Sequence, residues 1–79
     1  MSEISLSDLR VGQAGLIVSL RLEGAARRRL MEMGLVRGER IEVMRIAPLG
    51  DPIEYLIKNY RLSLRKQEAK LIQVEVQHG

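Results

Sequence analysis

The chain contains no cysteine, no phenylalanine and no tryptophan, and only two tyrosines and two prolines among its 79 residues. The missing thiols exclude disulfides and thiolate metal sites, so the fold must rest on packing and strand pairing. Hydrophobic residues still make up 46% of the chain, which implies a core of Leu, Ile, Val, Met and Ala. No apolar run approaches the roughly 20 residues needed to cross a bilayer. The opening Met-Ser-Glu-Ile-Ser has neither the basic segment nor the apolar stretch of a signal peptide. A soluble, cytoplasmic protein is the expectation. So short a chain supports a single core, and residues 1–79 are expected to form one domain.

Chemistry-bearing residues are equally scarce. The one histidine, His78, is next to the last residue, and the serines at 5, 7, 19 and 63 have no histidine partner in the body of the chain. That removes the triad logic of a nucleophilic hydrolase. The glycines at 12, 15, 24, 34, 38 and 50 are spaced as turn markers and form no phosphate-cradling loop. Met31, Met33 and Met44 offer thioethers, but a helical methionine usually fills a core. Glu32, Glu39 and Glu42 lack a histidine to complete a ligand set. The residues therefore predict a protein that is not an enzyme, with no cofactor and no metal site.

Charge is abundant and unevenly placed. The net charge is +3, and between Arg21 and Arg45 seven arginines face only Glu23, Glu32, Glu39 and Glu42. The rest of the chain holds six positive and six negative residues, so the whole excess lies on this one stretch. Within it, residues 28–43 pass from a helical repeat, through Gly34 and Gly38, into a strand repeat.

The remaining pattern reads as sheet. Ser5-Leu6-Ser7-Asp8 has the form of a capping box opening one short turn, which would tuck Leu6 and Leu9 under a barrel. Residues 15–20 read as a strand with Leu16, Val18 and Leu20 on one face and Ile17 and Ser19 on the other. Ala26, Leu30 and Met33 recur at helical spacing after a cap at Gly24, with Arg27, Arg28 and Glu32 toward solvent. Met31 falls off that stripe and near Arg27, where it either widens the apolar arc packed against the barrel or stands exposed as an anchor for a partner. Gly34 should end the helix, with Leu35 folding back on it.

Residues 40–46 form the next strand. Pro48 and Gly50 suit the second and fourth positions of a turn over 47–52. A strand over 53–58, a turn with Asn59 at positive φ and a strand over 60–64 follow. A single 3₁₀ turn over 65–69 then leads into a last strand over 71–76, and 77–79 are expected as a disordered tail. Such a chain is mainly β, a small SH3-like barrel of about five strands with one helix inserted between the first two.

The ordered set of short motifs resembles the FeoA family. It begins with Leu6-Ser7-Asp8-Leu9-Arg10-Val11-Gly12 and continues through Arg29-Leu30, Glu32-Met33-Gly34-Leu35 and Gly38. Ala47-Pro48-Leu49-Gly50-Asp51-Pro52-Ile53 comes next, and Leu62-Ser63-Leu64-Arg65-Lys66 with Glu68-Ala69 closes the set. Arg37 and Asn59 stand where the family often has proline and glycine. The resemblance implies an SH3-like barrel, similar to the C-terminal domain of iron-dependent repressors. It also implies a role in ferrous iron transport beside FeoB, a membrane permease with a GTP-binding domain, docking at the cytoplasmic face.

On that reading the partner interface would include Arg27, Arg28 and Met31 on the helix, or Leu49 and Asp51 on the loop. Self-association through an unpaired strand edge is a further route of contact. The competing reading is a basic nucleic-acid-binding or repressor-associated module. Interleaved glutamates and only two tyrosines for stacking argue against nucleic acid.

Overall fold

The computed structural model describes residues 3–78. Nine elements follow in order: β1 (Glu3–Ser5), a 3₁₀ turn (Leu6–Asp8), β2 (Ala14–Leu20), α1 (Gly24–Glu32), β3 (Arg40–Ile46), β4 (Ile53–Ile57), β5 (Tyr60–Leu64), α2 (Lys66–Ala69) and β6 (Ile72–Gln77). The strands form one antiparallel sheet in the order β1-β6-β2-β3-β4-β5. This is the expected mainly-β, SH3-like architecture, with the helix lying between β2 and β3.

The sheet has six strands, one more than the pattern predicts. The addition is β1, whose Ile4 pairs with Val74 of β6. Three residues carry no alternation to detect, and their pairing is made entirely across the chain. The end also differs: Gln77 is the last residue of β6, opposite Ala14, and its Oε1 accepts from Arg40 Nε at 3.0 Å. A neighbouring strand holds it where sequence position alone suggests fraying. Gly79 lies outside the described residues.

Strict alternation mis-assigns β2. Ile17 is a core residue, whereas Leu16 and Val18 are only half-buried. A register shift between Ile17 and Ser19 explains it: Ile17 faces Val74 and Ser19 faces Gln73, leaving Val18 as the extra residue of a bulge. Such a bulge turns its extra residue aside and resets which side chains face inward, and Leu20 returns to the core. β3 has a similar irregularity between Val43 and Arg45, after which Arg45 and Ile46 are exposed.

The capping boxes also trade places. Ser5 makes no cap bond to the 3₁₀ turn; its Oγ donates to the Lys70 carbonyl at 3.0 Å, tying the N-terminal strand to the segment before β6. Leu6 and Leu9 are buried as expected. At α2 the Glu68 carboxylate accepts from the Arg65 N–H at 3.0 Å, one half of a capping box. Here the chain makes one α turn, with Ala69 N–H to Arg65 and Lys70 N–H to Lys66, in place of the expected 3₁₀ turn. Ala69 is fully buried, so this turn packs despite its charged neighbours.

Candidate functional site

Helix α1 is barely attached to the sheet. Of its nine residues only Leu30 is buried, and Ala26, expected on the core stripe, is exposed. Met33, just past the helix, packs at the edge of the core. The stripe fails because the flanks of the helix take its place: Leu22 before it and Leu35 after it are both in the core. Burying Leu30 contributes about 2 kcal/mol, enough to anchor the helix while leaving its sides free.

Both ends of α1 turn on glycine. Gly24 has φ +64, a value that marks it as the junction into the helix, and Gly34 has φ +99. Around Gly34 the Leu35 N–H donates to the Leu30 carbonyl at 3.0 Å, the closing bond of a left-handed C-terminus. A Cβ at Gly34 would lie 2.9 Å from Lys58 Cε and 3.5 Å from the Tyr60 hydroxyl. The β4–β5 hairpin thus sits directly against the helix end. One turn feature is displaced here: Lys58, with φ +55, adopts the positive φ expected of Asn59. Lys58 is the first residue of the two-residue turn between the paired Ile57 and Tyr60, a position where hairpin turns take positive φ, and its Nζ pairs with Glu39 at 3.0 Å.

The free side of α1 borders two contiguous grooves. One, of about 520 Å³, is lined by Gly24, Arg27, Arg28, Met31, Glu32 and Val36. The other, of about 350 Å³, has an apolar floor of Val18, Leu20, Leu35 and Val36 beside Arg27, Met31 and Arg37. Arg27, Met31 and Val36 belong to both, and Met31 is 42% exposed. Val18 reaches this surface from the face of β2 opposite the buried Ile17, at the bulge. Its role is therefore invisible in the sequence, as is that of Val36.

The arginines divide into two groups. Arg29 pairs with Glu68 at 2.6 Å, and Arg40 with Glu42 at 3.1 Å. Arg27 donates to the Leu20 carbonyl at 2.6 Å, which fixes its position at the head of the groove. Among the described residues, Arg28 and Arg37 have no carboxylate partner. The groove is therefore apolar below and cationic at its rim, with Glu32 the one acid in its lining.

The second predicted patch lies apart from the first, since no residue of 47–52 lines either groove. The Gly50 N–H donates to the Ala47 carbonyl at 2.7 Å, the turn that Pro48 and Gly50 predict, and Ala47 N–H donates to Pro52 at 3.1 Å. Leu49 projects from this turn at 96% exposure. Asp51, though exposed, is engaged within its own chain: its Oδ1 accepts from the Lys66 N–H at 2.9 Å, capping the start of α2. Its first duty is to brace the loop that presents Leu49.

Inside the barrel one polar atom stands alone. Tyr55 is fully buried and, among the described residues, its hydroxyl has no hydrogen-bond partner. Burial raises the pKa of that phenol well above its usual value. Among the described residues no group of three or more His, Cys, Asp or Glu side chains is placed to hold a metal ion, and no helix is long and apolar enough to cross a membrane.

Comparison with known proteins agrees with this fold. The FeoA domain model matches residues 4–76. FeoA from Chlorobium tepidum is 45% identical, with a TM-score of 0.91 over 96% of this chain and 72% of that one. FeoA from Stenotrophomonas maltophilia, solved with zinc and described as a prokaryotic SH3 domain protein, is 32% identical, with a TM-score of 0.81 over 91% and 89%. A fusion of Fe(2+) transport protein A with the Fe(2+) transporter FeoB, from Porphyromonas gingivalis, is 44% identical over 71 residues. That match covers 90% of this chain and 8% of the fusion protein. On its motifs, its sheet and these similarities, the chain belongs to the FeoA family.

Proposed function

We infer that the protein is a small, non-catalytic, cytoplasmic accessory of ferrous iron uptake, acting by direct contact with a FeoB-type permease at the membrane face. The observation that carries this reading is the existence of a relative in which a FeoA segment and FeoB are one polypeptide. Covalent fusion raises the effective concentration of two modules, an arrangement suited to partners that must meet. The groove beside α1 is the contact surface, with Met31 and Val36 as the apolar centre and Arg28 and Arg37 as an unpaired cationic rim. Apolar anchors ringed by charge have the composition of a protein-docking site. Leu49, on a braced turn, supplies a second anchor whose ordering cost is already met within the fold.

The test is titration of the protein into the cytoplasmic part of FeoB, in both nucleotide states, and into full-length FeoB in membranes. Arg28→Glu and Met31→Glu, neither of which removes a structural bond, are expected to weaken binding at least tenfold. Leu49→Ala is expected to weaken it less. Absence of binding in every format would overturn the reading. Binding that is indifferent to Arg28, Met31 and Leu49 would relocate the interface.

A further inference from the structure

The sheet ends on β5. It pairs only with β4, in the register Ile57 with Tyr60, Tyr55 with Leu62 and Ile53 with Leu64. A two-residue turn, Lys58-Asn59, joins the two strands, so Ile57 and Tyr60 are a hydrogen-bonded pair. Alternation then directs the backbone N–H and C=O groups of Arg61 and Ser63 away from β4. Among the described residues no other backbone group bonds to them, and both residues are exposed. The opposite edge, β1, is only three residues long.

We propose that β5 is a self-complementary docking edge, which pairs antiparallel with β5 of a second copy, Arg61 opposite Ser63 and Leu62 opposite Leu62. This register uses the outward groups of both residues on both copies, four backbone hydrogen bonds in all. The side chains select it. Moving two residues in one direction sets Arg61 against Arg61, and two in the other sets Arg61 against Arg65, and like charges directly opposite are destabilising. In the chosen register the small Ser63 faces Arg61, leaving room above it. Glu54 lies across from Ser63 on β4, so each Arg61 is directed over Ser63 toward Glu54 of the other copy. Arg61 already reaches Glu54 of its own chain at 3.4 Å, so this acid accepts that guanidinium from a neighbouring row.

The edge is short, and the complex is accordingly a weak, concentration-dependent dimer. None of the lining residues of the α1 grooves belongs to β5.

The 79-residue chain is followed by amide NMR and sedimentation from dilute solution to about 1 mM, the range in which weak dimers populate. The Arg61 and Ser63 amides are expected to shift with concentration. Ser63→Glu places an acid opposite Arg61 twice per dimer and is expected to tighten it about fivefold; Ser63→Lys is expected to loosen it by a similar factor. Arg61→Glu combined with Ser63→Lys restores opposite charges and should recover the dimer. A monomer at the highest concentration, shifts that map to α1 or β1, or Ser63→Glu and Ser63→Lys moving the affinity in the same direction would overturn the proposal.

Discussion

The lone hydroxyl of Tyr55 offers a test in which two independent measurements must agree. The side chain is fully buried and its oxygen has no partner among the described residues. A buried polar group without a hydrogen bond costs about 1–3 kcal/mol of desolvation. Tyr55→Phe keeps the ring and deletes the oxygen, so it is expected to stabilise the protein by about 1 kcal/mol at neutral pH. In a domain of this size that raises Tm by roughly 4–8 °C.

The pH dependence has a definite sign. Burial raises the pKa of this phenol in the folded state, while the unfolded phenol ionises near its ordinary value of about 10. The folded state therefore holds a proton that the unfolded state releases. The stability tied to that proton is complete below about pH 10 and is lost above it, at about 1.4 kcal/mol per pH unit, until the raised pKa is reached. Tyr55→Phe lacks this loss, so its advantage should widen between about pH 10 and pH 11. Urea denaturation of both proteins across that range isolates the effect, because every other titrating group is common to both. A phenylalanine variant less stable than the parent at pH 7 would show that the hydroxyl has a partner. A gap that stays constant above pH 10 would refute the assignment of the proton.

Gly34→Ala introduces a Cβ at φ +99, 2.9 Å from Lys58 Cε; the side-chain tip can move but the backbone strain stays. A loss of about 1–2 kcal/mol in chemical denaturation is expected, and a neutral result would show that the helix end adapts. Asp51→Ala removes the acceptor for the Lys66 N–H and is expected to cost about 1 kcal/mol, with faster amide exchange at Lys66. Unchanged exchange there would mean that the carboxylate does not brace the loop.

Some of the molecule was legible from local chemistry. Glycine and proline punctuate the chain where the backbone must turn, which is why the ends of α1, the 47–52 turn and the bounds of β3 follow from the residues. A 100° step along the helix takes Met31 off the Leu30 stripe, but that step is compatible with a wider apolar arc against the barrel, and only the fold leaves Met31 exposed. The motif order likewise carried the family, because short signatures in a fixed sequence are properties of the chain itself.

Tertiary structure decided what local chemistry leaves open. β1 exists only because β6 is beside it, and Gln77 takes its place in β6 through its pairing with β2 and its bond from Arg40. Lys58 takes the positive φ because the pairing of Ile57 with Tyr60 makes it the first residue of a two-residue hairpin turn. The bulge at Val18 and the seating of Leu22 and Leu35 in place of Ala26 opened the groove. Whether an arginine is paired or free, and whether Asp51 faces a partner or its own chain, depend on neighbours far away in sequence. Composition and periodicity determine which residues can be buried; only the packed sheet determines which of them are left over to meet another molecule.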